Sequence, residues 1–275
     1  MSAWDYERVC NYLLALEVAE SQRHYHREWV RNGAPRFLRT LELVPEGAPG
    51  QRCLEVGAMP LTMTLLLKKL RPYDLLLVDY FAGAKMAAPH VETVRLPALG
   101  EEHRFESVLC DLEREQLPFA DASIHGALCC EVLEHLTQDP VAMLVEIHRV
   151  LLPDAWFVLT TPNIASFENV LKLLHGRNVF DPYDIRLGPT WRHNREYTPK
   201  EVGDLLTETG FVVEEIIVED ALPPFARPSL VSRVMRRVSE AVYGCNYGKQ
   251  IYARARRGPA AKRTYPDWLF QHQHV

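Results

Sequence analysis

Two short segments of the chain carry side chains that could bind a divalent metal or remove a proton. Glu131, Glu134 and His135 stand together in the run Glu-Val-Leu-Glu-His, and His193 opens the later run His-Asn-Arg-Glu-Tyr-Thr. If the first run begins a helical turn, its two glutamates share one face and the histidine adjoins it. Two carboxylates and two imidazoles could hold Mg2+ or another divalent ion. Without a metal, His193 or His135 could act as a general base, because histidine titrates near neutral pH.

A second set of chemically useful residues follows the apolar runs of the chain. Gly57, Asp79, Asp111 and Glu131 each come directly after such a run. In an open parallel sheet, ligands bind at the carboxyl ends of the strands. The sequence therefore predicts that these four residues line one binding site.

The elements that must position these residues are short apolar runs that alternate with helical patterns. Runs that are apolar on both faces predict a parallel sheet covered by helices on both sides, which is a doubly wound α/β fold. A mostly parallel sheet of seven strands with an antiparallel edge is expected, with strands near 52–56, 75–78, 105–110, 125–130, 156–160, 211–218 and 249–255. Helices are predicted over 60–70, opened by Pro60, and over 140–151 and 200–209.

The remaining segments predict helical additions to a single domain. Apolar residues at helical spacing place one or two helices before residue 48, and residues 229–242 form a further amphipathic pattern. We divide the chain into an N-terminal helical cap at 1–48, a ligand-binding core at 49–219, and a helical insertion, last strand and basic tail at 220–275.

Composition restricts the function classes. The chain has 275 residues, 47% of them hydrophobic and 24% charged, as in an ordinary globular enzyme. Its start lacks the pattern of a secretory signal, and no apolar run reaches the roughly 18 residues that span a bilayer. We expect a cytoplasmic protein with no transmembrane segment and with its six scattered cysteines reduced. From residue 225 onward ten Lys and Arg face two acids, so a nucleic-acid partner is conceivable but not favoured.

The order of these motifs resembles that of the class I S-adenosylmethionine-dependent methyltransferases, over about residues 43–219. The resemblance rests on the run Cys-Leu-Glu-Val-Gly at 53–57, the acids at 79 and 111, the run Leu-Pro-Phe at 117–119, and the segments 131–136 and 149–163. It implies that Glu55 and Gly57 flank the methionyl part of the cofactor, with Ala58 and Glu131 in the same site. It further implies that Asp79 holds the ribose hydroxyls and that Asp111 with Leu112 meets the adenine.

The loop after Gly57 departs from this family pattern. Ala58, Met59, Pro60 and Leu61 stand where further glycines are usual. A dinucleotide site needs those glycines so that the backbone can approach a pyrophosphate. S-adenosylmethionine carries no phosphate, so the departure counts more against a dinucleotide than against this cofactor. The alternative is a non-catalytic cofactor-binding or scaffolding domain with a degenerate glycine loop.

The candidate catalytic residues also carry a resemblance. Glu-x-x-Glu-His is similar to the ubiquinone-biosynthesis O-methyltransferases, and a later His-x-x-Glu-aromatic-Thr after Thr-Pro-Asn is similar to the small-RNA 2′-O-methyltransferases. Carried over by position, these patterns imply a metal held by Glu131, Glu134, His135 and His193. Metal-free methyltransferases share the first pattern, so catalysis by His193 or His135 alone stays open.

Looser similarity to methyltransferases of sugar, polysaccharide and natural-product pathways, at 191–210 and 265–269, favours a small-molecule or sugar acceptor. O-methylation of such an acceptor is the function that the sequence predicts first. Metal-dependent methylation of an RNA 2′-hydroxyl is the alternative.

Overall fold

The computed structural model describes residues 4–79, 89–180, 192–226, 233–234, 237–238 and 247–271. Of the predicted helix at 229–242, only residues 233, 234, 237 and 238 are among these; they are helical and exposed, and the rest of that prediction lies outside the described residues. No helix in the described part combines the length and the apolar character needed to cross a membrane.

The described residues form one sheet flanked by helices on both faces, which confirms the predicted fold class. The strands are β1 Arg52–Val56, β2 Asp74–Asp79, β3 His90–Leu96, β4 Glu101–Leu109, β5 Ile124–Cys130, β6 Leu151–Pro162, β7 Phe211–Glu219 and β8 Gln250–Arg257. Their order across the sheet is β3-β4-β2-β1-β5-β6-β8-β7. Strands β4, β2, β1, β5 and β6 run parallel to one another. Strand β3 pairs antiparallel with β4, and β8 pairs antiparallel with both β6 and β7.

The sheet has eight strands because β3 extends the seven that the sequence predicts. His90–Leu96 pairs with β4 through a short turn at Pro97–Leu99. Only Val94 and Leu96 of this strand are buried, so its pattern is that of a half-exposed edge strand.

The helices are α1 Tyr6–Leu14, α2 Arg23–Leu43, α3 Thr62–Leu70, α4 Pro140–Val150, α5 Phe167–Leu174 and α6 Pro199–Glu208. One face of the sheet packs against α1, α2 and α3, and the other against α4, α6 and the tail residues Trp268, Leu269 and Phe270. The two faces alternate along each strand, as the pleat requires.

Two local features differ from the sequence prediction. Helix α3 begins at Thr62 and not at Pro60, because Leu61 takes a left-handed conformation (φ 63°) before the first helical residue. Helix α5 has no buried residue, so it lacks the core-facing pattern by which a helix is found in sequence.

Candidate functional site

The predicted binding residues meet at the carboxyl edge of the sheet. Val56 pairs with Val78 and with Cys129, and Asp79 pairs with Leu109. The Gly57 N–H donates to the Val78 carbonyl (2.7 Å), and the Cys110 N–H donates to the Asp79 carbonyl (3.0 Å). Parallel pairing therefore brings the ends of β1, β2, β4 and β5 together at the place where the sequence predicts a ligand.

Asp79 has a carboxylate oxygen without a partner among the described residues. The side chain is 2% exposed, and its Oδ1 accepts from the Met59 N–H (2.9 Å). Its Oδ2 is buried and receives no hydrogen bond within the part of the chain that the structure describes. A buried carboxylate oxygen requires a donor, and the ribose hydroxyls of S-adenosylmethionine would supply one.

Gly57 lies directly under Val132. It has φ 74°, and a Cβ at this position would lie 2.2 Å from Val132 Cγ2. Only glycine meets both demands, because it alone populates positive φ freely and has no Cβ. Ala58 beside it is buried. Gly57 thus allows the end of β1 to pack closely against Val132 in the segment after β5.

Glu55 lies beneath the loop. The residue is 3% exposed, and its carboxyl accepts from Thr64 Oγ1 of α3 (2.7 Å). Burial raises the pKa of Glu55 to about 8, and the charge of Asp79 adds to the increase. Glu55 therefore connects β1 to α3, and its implied contact with the methionyl group stays a prediction.

Asp111 and Leu112 form the turn after β4. Asp111 is 5% exposed; its Oδ1 accepts from the Glu113 N–H (3.1 Å) and its Oδ2 pairs with Arg114 Nη1 (2.8 Å). The Leu112 side chain packs in the core. The position of this turn next to Asp79 fits the adenine side of a nucleoside site, while its contact with adenine stays a prediction.

Glu131 faces the N-terminal helices. Its backbone is left-handed (φ 57°). The carboxylate forms an ion pair with Arg36 of α2 and accepts from Thr160 Oγ1 (2.8 Å) and Gln250 Nε2 (2.7 Å). Two strands, β6 and β8, and helix α2 thus contact this side chain.

Three of the four predicted metal ligands do lie together. Glu134, His135 and His193 each offer one ligand atom, and these atoms lie within 4.8 Å of one another. Glu134 is fully buried; its Oε2 accepts from Thr161 Oγ1 (2.9 Å), and its Oε1 has no partner among the described residues. The two imidazole rings are 5.0 Å apart and nearly perpendicular. We refer to these three residues as the Glu134–His135–His193 cluster.

Glu131 is left out of this cluster, and the expectation that it shares a helical face with Glu134 is wrong. The segment forms a short 3-10 turn at Leu133–His135, and Glu131 precedes it in a left-handed conformation. The two glutamates are bound by successive residues of β6, Thr160 and Thr161, whose side chains point to opposite faces of the sheet.

Within the part of the chain that the structure describes, the second ring nitrogen of each histidine has no hydrogen-bond partner. His135 Nδ1 donates to the Arg192 carbonyl (3.1 Å), and His193 Nδ1 donates to Glu196 Oε1 (2.8 Å). A hydrogen bond of this kind fixes the tautomer and leaves Nε2 with a lone pair.

The cluster places its groups in different electrostatic surroundings. Burial, followed by the charge of Glu131, raises the pKa of Glu134. Burial and the neighbouring His193 lower the pKa of His135, whereas the hydrogen bond from His193 to Glu196 raises the pKa of His193. Perturbed pKa values of several adjacent groups are common at catalytic sites.

Backbone contacts bring His193 to this place from a distant part of the sequence. The Asn194 N–H donates to the Glu134 carbonyl (2.7 Å), and Asn194 Nδ2 donates to the His135 carbonyl (2.8 Å). Tyr197 then pairs with Asn163 after β6, and Thr198 caps α6 in a capping box with Glu201.

Sequence reasoning missed the residues that hold the site from other elements. Arg36 reaches Glu131 from α2, and Trp29 Nε1 donates to Thr62 Oγ1 at the start of α3 (3.4 Å). Glu113, next to the predicted adenine residues, accepts four hydrogen bonds from the segment before α4. Of these residues, only Glu113 could have been selected from the sequence, because it is acidic and lies two positions beyond Asp111.

The segment that contains most of the candidate site residues is similar to a known protein family. Residues 54–159 match a family described as a methyltransferase domain. A protein of Mycolicibacterium smegmatis named "Probable S-adenosylmethionine-dependent methyltransferase" is 34% identical over 102 residues, which are 37% of this chain and 34% of that protein. YafS of Escherichia coli is 38% identical over 71 residues, 26% of this chain and 29% of YafS. The chain thus spans well under half the length of these curated relatives.

Solved structures share the fold over most of the chain. A SAM-dependent methyltransferase from Archaeoglobus fulgidus superposes with a TM-score of 0.53 at 16% identity, covering 85% of this chain and 99% of that one. An S-adenosylmethionine-dependent methyltransferase from Mesorhizobium loti gives 0.50 at 18% identity, covering 82% and 99%. The shared fold therefore extends beyond residues 54–159.

Proposed function

We propose that this chain is a class I S-adenosylmethionine-dependent methyltransferase that methylates a hydroxyl oxygen of a small molecule or sugar; its methyltransferase-domain match and the fold that it shares with such enzymes support the first part. One observation carries the proposal. Asp79 Oδ2 and Glu134 Oε1, which have no partner among the residues that the structure describes, both lie at the carboxyl edge of one sheet, at the ends of β2 and β5. In this proposal Asp79 binds the nucleoside, and Glu134 accepts a proton or binds a metal at the same edge of the sheet.

The residues at the ends of β1, β2 and β4 fit the cofactor. S-adenosylmethionine supplies an electrophilic methyl group on a sulfonium centre. Asp79 would accept hydrogen bonds from the ribose hydroxyls, and Asp111 with Leu112 would lie at the adenine end. Because the leaving group departs as a neutral thioether, the main task of these residues is to align the reacting atoms.

The Glu134–His135–His193 cluster would activate the acceptor. A hydroxyl is a poor nucleophile until its proton is removed. One carboxylate and two imidazoles whose Nε2 atoms have no partner among the described residues are a suitable ligand set for a divalent ion, which lowers the pKa of a hydroxyl bound to it. The unpartnered Glu134 Oε1 supports this form of the proposal.

A cleft lies beside helix α2 of the N-terminal cap. It has a volume of about 380 Å³, in the range of small-molecule sites. It is lined by Tyr6, Pro35, Leu38, Arg39, Glu42, Glu219, Leu222 and Pro224. Glu219 pairs with Gln250, which in turn donates to Glu131. The cleft therefore lies on the α2 side of this edge, with Glu131, and none of the cofactor residues or of the Glu134–His135–His193 cluster lines it.

Calorimetry with S-adenosylhomocysteine tests the cofactor site. We expect saturable binding by the unchanged protein and a loss of at least about tenfold in affinity for Asp79→Ala, because one charge-assisted hydrogen bond is removed. Asp74→Ala is the matched control, since Asp74 is the exposed first residue of the same strand. Absence of binding by the unchanged protein would favour a scaffolding domain.

Acceptor and metal are tested together by mass spectrometry of cell extract incubated with the protein and S-adenosylmethionine. We expect methyl transfer to a hydroxylated small molecule, loss of transfer on exhaustive chelation, and recovery on adding a divalent ion. Transfer that survives chelation would contradict the metal and leave histidine as the base. Transfer that disappears after ribonuclease treatment of the extract would contradict the small-molecule acceptor.

A further inference from the structure

Glu113 makes a dense set of hydrogen bonds outside the residues assigned above. It is 5% exposed and follows β4. Its Oε1 accepts from the N–H groups of Thr137 (2.9 Å), Gln138 (2.5 Å) and Asp139 (2.7 Å), and its Oε2 accepts from Thr137 Oγ1 (2.9 Å). All four donors belong to the segment 137–139, which leads into α4.

These contacts join two segments that follow neighbouring parts of the site. The turn 111–114 follows β4 and includes Asp111, while 137–139 follows the 3-10 turn that contains Glu134 and His135. Arg114 forms a second cross-link, from Asp111 Oδ2 (2.8 Å) to Gln138 Oε1 (2.6 Å). The Glu113 N–H also donates to Asp111 Oδ1 (3.1 Å).

The three amides that Glu113 binds are successive N–H groups. Asp139 is the N-cap of α4 and uses its own Oδ1 for the Ala142 N–H. A neutral, short side chain in place of Glu113 would therefore leave three backbone donors without their acceptor. A segment in that state rearranges to reach other acceptors or water.

We propose that Glu113 is a positioning residue for the cofactor: it holds the turn 111–114 against the segment 137–139 and so orients Asp111 and Leu112 for the adenine. The inference rests on the proposed function, because it assumes that a nucleoside binds beside Asp111. Glu113 itself makes no contact with the methyl donor in this proposal.

The chemistry of the contacts predicts which substitutions are tolerated. Glu113→Gln keeps a carboxamide oxygen that can accept from the three amides, so it rescues the geometry. Glu113→Asp is one methylene shorter and withdraws the oxygens, and Glu113→Ala removes them. Affinity for the cofactor should therefore depend on whether the side-chain oxygen at position 113 reaches the three amides, and not on whether the side chain is charged.

The test is calorimetric titration of full-length variants with S-adenosylhomocysteine, well below their unfolding temperatures. We expect the Kd to rise about tenfold or more for Glu113→Ala and Glu113→Asp, and to change less than about threefold for Glu113→Gln. Glu146→Ala is the control. Glu146 lies on α4 and accepts from the Leu117 N–H (3.0 Å), so it also supports a loop through α4.

The control separates positioning from general stability. We expect Glu146→Ala to lower the unfolding temperature while the Kd stays within about threefold of the unchanged protein. The inference is overturned if Glu113→Asp and Glu113→Gln both bind like the unchanged protein, or if Glu146→Ala weakens binding as much as the Glu113 variants do. If the unchanged protein binds no S-adenosylhomocysteine, the proposed function fails instead.

Discussion

The acidic side chains near the strand ends differ in role because each has its own partner. Glu55 is bound by Thr64, Asp79 by the Met59 amide, Glu113 by three successive amides, Glu131 by Arg36, and Glu134 by Thr161. A buried carboxylate is costly unless such partners satisfy it. The two carboxylates that keep an unpartnered buried oxygen among the described site residues, Asp79 and Glu134, are therefore the ones we assign to ligands.

Gly57→Ala tests the contact between β1 and the segment after β5. We expect a loss of about 2–4 kcal/mol in the free energy of unfolding, from positive φ and from the clash with Val132. Gly100→Ala isolates the first cause, since Gly100 has φ 66° with open space around its Cβ position, and should lose about 1 kcal/mol. Chemical denaturation of both variants provides the measurement.

A double variant completes this test. Combining Gly57→Ala with Val132→Ala removes the methyl group that clashes, so the two losses should be less than additive by about 1 kcal/mol or more. Additive losses, or equal losses for Gly57→Ala and Gly100→Ala, would show that Val132 does not restrict this position.

At the scale of elements, the sequence predicts what is buried and misses what is half exposed. The strands β1, β2, β5 and β6 are nearly continuous apolar runs because helices cover both their faces. Strand β3 has only two buried residues and α5 has none, so neither shows a strong pattern. Pro60 resembles a first helical residue, but the left-handed Leu61 separates it from α3.

The same reasoning explains which site residues are found. Asp79 and the Glu134–His135–His193 cluster carry local signals, namely a strand end or a dense run of ligand-type residues. Arg36 and Gln250 carry none, because their shared partner Glu131 lies far away in sequence, 119 residues from Gln250. Spacing along the chain cannot show which of two nearby glutamates is bound by a distant arginine.

Helix α2 is attached to the sheet edge by two ion pairs, Arg36–Glu131 and Arg39–Glu219. The side chains of Arg36 and Glu131 are 16% and 20% exposed. In a double-mutant cycle with Arg36→Met and Glu131→Gln, we expect a coupling free energy above about 1 kcal/mol, because each single variant leaves a poorly solvated charge.

The exposed pair Arg23–Glu20 supplies the comparison for this cycle. Its side chains are 65% and 90% exposed, so we expect a coupling free energy below about 0.5 kcal/mol. Raising the salt concentration should reduce the coupling free energy of the exposed pair more than that of Arg36–Glu131. Equal coupling in the two cycles would contradict a fixed attachment of α2 at Glu131.

At the scale of the whole molecule, at least three of the ten basic residues after position 225 pair with acids from other segments. Arg254 pairs with Glu214, Arg256 with Asp154, and Arg263 with Asp139. The sequence showed an excess of basic residues after position 225, and folding places acids from other segments beside several of them. Part of the basic excess after position 225 is therefore paired with acids within the protein.

The folding equilibrium of the whole molecule should depend on pH through Glu55. Its pKa is about 8 in the folded protein and 4.5 as an ordinary value, so between these the folded state binds more protons than the unfolded state. The stability that Glu55 contributes is complete below about pH 4.5 and is lost as pH rises through about 8.

Glu55→Gln cannot ionise and keeps an acceptor for Thr64, so it lacks this dependence. Urea denaturation from pH 5 to 9 should show the unchanged protein losing up to about 1.4 kcal/mol per pH unit relative to Glu55→Gln, with the difference levelling above pH 8. Glu106→Gln, at an exposed position of β4, should run parallel to the unchanged protein; if Glu55→Gln also did so, Glu55 would not be a protonated residue of the folded core.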